Sequence, residues 1–176
     1  MKMIIIIIIV LFLLVLIGYN ILVRSRIKVD QAKSGVDIYL KQRFDLIPNL
    51  VKTVKGYMKH ESDLLNNIVK LRNEYNDNTN DIKTSQELNI QIDKIFALAE
   101  NYPDLKANEQ FLNLQKNLTK MESQLQAARR IYNNEVTKYN TKIQVVPLNI
   151  IAKLFGFKEK ELFKIDKDEE KIKVNI

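Results

Sequence analysis

The stretch FLNLQKNLTKMESQLQAARRIYNNEVTKYNTKI, residues 111–143, decides the fold. Its apolar residues Phe111, Leu114, Leu118, Met121, Leu125, Ala128, Tyr132, Val136, Tyr139 and Ile143 recur at steps of three and four, the spacing that stacks side chains on one helix face. One doubled step of four, between Ala128 and Val136, is an 11-residue stutter that locally removes a left-handed supercoil. Pro147 closes the pattern, because proline has no N–H to continue the helix.

Upstream the same period returns three times. Leu88, Ile92, Ile95, Ala99 and Tyr102 form one seam, with Thr84 and Glu87 fitting a capping box at its start and Tyr102-Pro103-Asp104 breaking it from the long helix. Ile47, Leu50, Val54, Tyr57, Glu61, Leu64, Ile68, Leu71 and Tyr75 form another, one helix opening near Asp45 or Leu46, where Pro48 suits the first turn. The polar run NDNTNDIK, residues 76–83, separates these two. Val29, Ala32, Val36 and Tyr39 form the first seam, with Arg43 at its next position. Period-two alternation is absent, so the chain reads as all-α. Four amphipathic segments with short connections predict an antiparallel up-down-up-down four-helix bundle over residues 24–146. A two-stranded coiled coil between chains is the alternative, disfavoured by the breaks at Pro48, residues 76–83 and Pro103. Lengths do not match: at 1.5 Å per residue the last helix from Asp104 is about 60 Å and the third about 27 Å. A bend, an overhang or a start nearer Asn108 would reconcile them.

Residues 3–23 contain no charge and would span about 30 Å as a helix, the thickness of a hydrocarbon core. Six consecutive isoleucines, Ile4 to Ile9, would favour strand in water, but in lipid only a helix satisfies its own backbone. Tyr19 and Asn20 suit the interface, and Arg24, Arg26 and Lys28 follow. The competing reading is a cleaved signal peptide with Lys2 as its basic end. It lacks an A-x-A-like site after Ile17, and the apolar run is longer than such peptides use, so an uncleaved anchor over residues 1–23 is expected. One basic residue precedes the run and six lie in the twenty residues after it, which favours a cytoplasmic C-terminal domain over the opposite orientation. With helix 1 leaving the membrane and helix 4 returning, residues 147–157 (PLNIIAKLFGF) are an amphipathic segment that either meets the interface or caps the bundle. Residues 158–176 read as a charged tail, a short helix or loose.

The formal charge of +7 falls to +3 for residues 29–176, too little for a nucleic-acid interface. Without cysteine there are no disulfides, thiolate metal sites or lipid-modified anchor, and His60 is the single histidine. His60 and Glu61 begin an HExxH-like string, but Leu64 stands where the second histidine belongs. The glycines at 18, 35, 56 and 156 are too scattered for a phosphate-binding loop, and one histidine forbids a di-iron bundle. No catalytic residue, metal or cofactor is therefore expected, and the chain reads as a non-enzyme. What stands out is charge at or beside the seams: Arg43, Glu61, Glu122 and Arg129. Such groups set helix register by pairing, or else serve as interaction charges. The dipeptide Tyr-Asn occurs at 19, 75, 132 and 139, the last two one heptad apart, with Tyr132 and Tyr139 as core residues whose hydroxyls reach polar partners.

Taken together, YNILV (19–23), LKQRFDLIPNLVKTVKGYMKHE (40–61), ENYPDLKANEQFLNLQKNL (100–118) and ESQLQAARRIYNNEVTKYN (122–140), with Pro147 and Gly156-Phe157 behind them, resemble the LemA family of bacterial membrane proteins. The resemblance covers nearly the whole chain and implies a single-pass anchor followed by an antiparallel helical bundle. It carries over no catalytic residues. The expected function is a membrane-anchored interaction or scaffold module. Its partners would be lipid through residues 3–23 and an unidentified protein, without nucleic acid, and homo-oligomerisation stays open. The alternative is a sensor or small-ligand receptor using polar groups within the bundle.

Overall fold

A computed structural model describes residues 1–77 and 82–163. Among them there is no strand. The helices are α1 (Lys2–Asp45), α2 (Ile47–Lys55), α3 (Ser62–Asp77), α4 (Ile82–Ala99), α5 (Pro103–Lys106), α6 (Glu109–Gln144) and α7 (Leu148–Leu154). The chain divides into two compact units, residues 1–35 with 128–176, and residues 36–127.

α1 is the one helix among the described residues long and apolar enough to cross a membrane. Its isoleucine run is exposed on all sides, whereas from Leu22 onward one stripe is buried, through Ser25, Val29, Val36, Leu40 and Phe44. A helix apolar all round suits either a protein core or a lipid bilayer, and one with a single apolar stripe packs on protein. The helix ends at Asp45 because Pro48 has no N–H to give the Phe44 carbonyl four residues back. The Arg72 Nε–H of α3 takes that place at 3.3 Å.

In the unit of residues 36–127, α2 packs on α3, α3 on α4 and α4 on α5. The core includes Ile47, Leu50, Val54, Ile68, Leu88, Ile92, Ile95, Leu105, Phe111 and Leu118, all fully buried or nearly so. Phe44 meets Tyr75 edge-on with ring centroids 4.6 Å apart, and Phe96 meets Phe111 at 6.1 Å.

Three local readings change. The helix expected from Ile47 to Tyr75 is two helices. At Gly56, a poor helix former, the chain turns, and the Tyr57 and Met58 amides both donate to the Val54 carbonyl at 2.9 Å. Around the turn Met58 and Leu65 enter the core in place of Tyr57 and Leu64, while Ile68, Leu71 and Tyr75 stay buried as their spacing predicts. α4 is already helical at Ile82, so Thr84 lies inside it rather than capping it. Part of the polar run between α3 and α4, residues 78–81, lies outside the described residues, as does the tail from residue 164. The long helix starts at Glu109, where the Asn108 Oδ1 accepts the Phe111 N–H at 3.0 Å and caps it. That removes α5 from its length and leaves about 54 Å.

Candidate functional site

Of the four charges singled out by sequence, Arg43, Glu61 and Glu122 lie in the unit of residues 36–127. Arg43 and Glu122 do meet: the Arg43 Nη1 donates to Glu122 Oε2, and Asp93 Oδ1 lies 4.0 Å from Nη2. The arginine side chain is only 3% exposed and the glutamate 26%, so this link between α1 and α6 is largely withdrawn from water. Glu61 is held by Tyr102, a residue outside the set, whose hydroxyl donates to Oε1 at 3.0 Å. The Glu61 Oε2 is buried with no hydrogen-bond partner. Arg129 falls in the other unit, half-buried on α6 beside Ala128. His60 is exposed in the turn before α3. Among the described residues no three His, Cys, Asp or Glu side chains come together in a way that could hold a metal.

The bond from Tyr102 to Glu61 raises the tyrosine's pKa above its ordinary value of about 10, because an ionised hydroxyl could not donate to the carboxylate. Burial raises Tyr75 and Tyr139 as well. A raised folded-state pKa stabilises the fold below the unfolded value, and this contribution is lost as pH rises through the folded one. Absorbance titration is therefore expected to show Tyr75, Tyr102 and Tyr139 ionising above pH 10, and Glu61→Gln should lower the value of Tyr102. Ionisation of these three near pH 10 would contradict this.

The other unit carries two features that sequence reasoning only half anticipated. The first is a clamp on α6. Asn140 holds Lys160 by two bonds, Nδ2–H to the Lys160 carbonyl (2.8 Å) and the Lys160 N–H to Oδ1 (3.0 Å). Asn133 holds Phe163 in the same way, at 2.9 Å for both bonds. The Tyr139 hydroxyl donates to the Lys158 carbonyl at 2.9 Å, and the Tyr132 hydroxyl to that of Glu161 at 3.0 Å. One heptad of helix advances about 10.5 Å, and three residues of stretched chain about 10 Å. Two Tyr-Asn pairs a heptad apart therefore match a backbone read every third residue. Residues 158–163 run along α6 as a strap; they are neither helical nor loose.

The second feature is α7, behind Pro147. Leu148 and Ile151 press on Gly18 of α1 so closely that a Cβ there would stand 2.3 Å from Ile151 Cδ1. Tyr19 packs its ring against Phe155 (centroids 4.9 Å apart) and Phe157 (5.8 Å). A cleft of about 340 Å³ opens between α7 and the strap, lined by Gln144, Asn149, Ala152, Lys153, Phe157 and Glu159. Gln144 donates to Glu159 across it at 2.8 Å, and the buried Asn149 Oδ1 has no partner. With one cation, one carboxylate and two amides, the cleft can hydrogen-bond a small polar group.

The match to known proteins comes at family level. The model of the LemA family matches residues 32–176, most of the chain. The chain belongs to the LemA family. Among curated proteins, two relatives from Paramagnetospirillum magneticum, magnetosome protein MamQ 2 and magnetosome protein MamQ 1, are each 30% identical over 70 residues. The matched segment is 40% of this LemA-family chain and 26% of either relative, so the likeness spans about a quarter of their length.

Proposed function

We propose that this LemA-family chain is a membrane-anchored helical interaction module. In this reading residues 3–23 cross the bilayer once without being cleaved. Residues 24–146 form an antiparallel four-helix bundle, with the cationic Arg24, Arg26 and Lys28 holding it on the cytoplasmic side. The bundle binds a protein partner or the membrane surface and catalyses no reaction. The observation that carries the reading is α1 itself, a single helix from Lys2 to Asp45 whose first half is exposed and apolar and whose second half buries one stripe. Anchor and module share one uninterrupted element. The Arg43–Glu122 link fits a register-setting role, because a misregistered helix would leave a buried guanidinium without its carboxylate.

The test is photo-crosslinking in intact membranes from exposed apolar positions of the helices, Val69, Ile90, Leu112 and Ile131. Adducts confined to a subset of positions are expected, mapping one interaction face. Membrane-anchored protein that gives no adduct from any of them would overturn the interaction reading. Protease accessibility of a C-terminal tag separates the orientations: protection in intact cells is expected, and cleavage would place the bundle outside.

A second reading, a receptor for a small polar ligand, is favoured by the unpartnered Glu61 Oε2 beside Tyr102. It requires Glu61→Gln to abolish ligand-induced stabilisation in a thermal screen of polar metabolites. A screen without a hit would remove it.

A further inference from the structure

At 100° per residue α7 divides into three faces. Leu148 and Ile151 turn to Gly18 of α1, and Asn149, Ala152 and Lys153 line the polar cleft. The remaining face carries Ile150, 65% exposed, and Leu154, 72% exposed, flanked by the exposed Val146 and Phe155. Four large apolar side chains cluster on a helix of seven residues and its borders, where solitary exposed apolar residues would be ordinary.

Where this face sits is set by its partner on α1. Gly18 lies inside the uncharged run, six residues before Arg24, which places α7 about 9 Å on the hydrocarbon side of the first cation. Interfacial helices bury their apolar faces to about 5–10 Å in the boundary between headgroups and acyl chains. The two depths agree. Lys153, on the neighbouring face, has a stem long enough to lift its ammonium back toward the headgroups, where Arg24 and Arg26 also lie.

We propose that α7 is a second membrane contact, an interfacial helix whose Ile150 and Leu154 face the acyl chains while Leu148 and Ile151 fasten it to Gly18. The partner is the lipid surface, and the inference rests on the reading that α1 spans the bilayer. Held by one helix through the membrane and another lying on it, this unit cannot rotate freely about the α1 axis. Gly18 is the fastening point, because a Cβ there would meet the Ile151 Cδ1 methyl at 2.3 Å and a bulkier side chain such as leucine would meet Leu148 as well.

The chain has no tryptophan, so single tryptophans report without background. The full chain is reconstituted into vesicles of phosphatidylcholine and phosphatidylglycerol, with and without brominated acyl chains. Three variants are compared: Phe12→Trp in the span, Leu154→Trp on α7, and Ile131→Trp on the exposed side of α6. Leu154→Trp is expected to emit at short wavelength and be quenched about twofold or more, Phe12→Trp at least as strongly, and Ile131→Trp hardly at all. Adding Gly18→Leu to Leu154→Trp should abolish its quenching and leave Phe12→Trp quenched. Unquenched Leu154→Trp beside quenched Phe12→Trp would overturn the interfacial helix and leave the anchor standing. Unquenched Phe12→Trp would overturn the anchor reading and this inference with it. Quenching of Leu154→Trp that survives Gly18→Leu would overturn the role of Gly18 in setting the depth.

Discussion

Glu122→Ala is expected to lower the stability of the helical module by about 3 kcal/mol, because it takes away the carboxylate to which the buried Arg43 guanidinium donates. The loss comes mainly from stranding a charge, since removing one member of a buried pair costs more than the pair itself contributes. The double variant Arg43→Met, Glu122→Met removes both charges and keeps most of the volume, so it should recover most of what the single variant loses. Urea unfolding followed by circular dichroism in detergent micelles checks both. A midpoint for Glu122→Ala within error of the parent would show that the link contributes nothing to the folded module. A double variant as unstable as the single would show that the pair itself is strongly stabilising.

The strap gives the second large effect. Asn133→Ala with Asn140→Ala removes four backbone hydrogen bonds, at about 1 kcal/mol net for each, so local closure should weaken by about 4 kcal/mol. Amide exchange at Lys160 and Phe163 is then expected to accelerate by about two to three orders of magnitude, toward the opening rate of an unprotected tail. Exchange within α2 should stay unchanged, since neither asparagine lies in its unit. Unchanged exchange at both amides would mean that the strap is held by its side chains, chiefly Phe163 on Tyr132, and not by its backbone.

The helices were legible because burial needs few kinds of information. Phe111, Leu118, Leu125, Val136 and Tyr139 are buried as their spacing requires, and the apolar run and its continuation into the Val29 stripe show in composition alone. The Gly56 turn was not legible. A seam at three and four spacing continues across it in the string of letters, and a shift of one residue exchanges Tyr57 for Met58 and Leu64 for Leu65, all of them acceptable core residues. Of the charges, Arg43 and Glu122 found each other, but Glu61 took Tyr102, because a hydroxyl too can donate to a carboxylate oxygen, and tyrosine on a seam reads as core. The clamp had a visible signal, the Tyr-Asn pair repeated after one heptad. Its meaning depended on residues 158–163 returning along α6, and nothing in the spacing of the two asparagines says which backbone they hold.

In the proposed anchor, residues 3–23 stay in the mature chain and hold it in the bilayer. Its most direct test is the intact mass of the protein recovered from membranes washed at alkaline pH. The protein is expected in the membrane pellet at 20.6 kDa, the mass of all 176 residues. Protein released into the wash, or recovered at a mass lacking the apolar run, would contradict it.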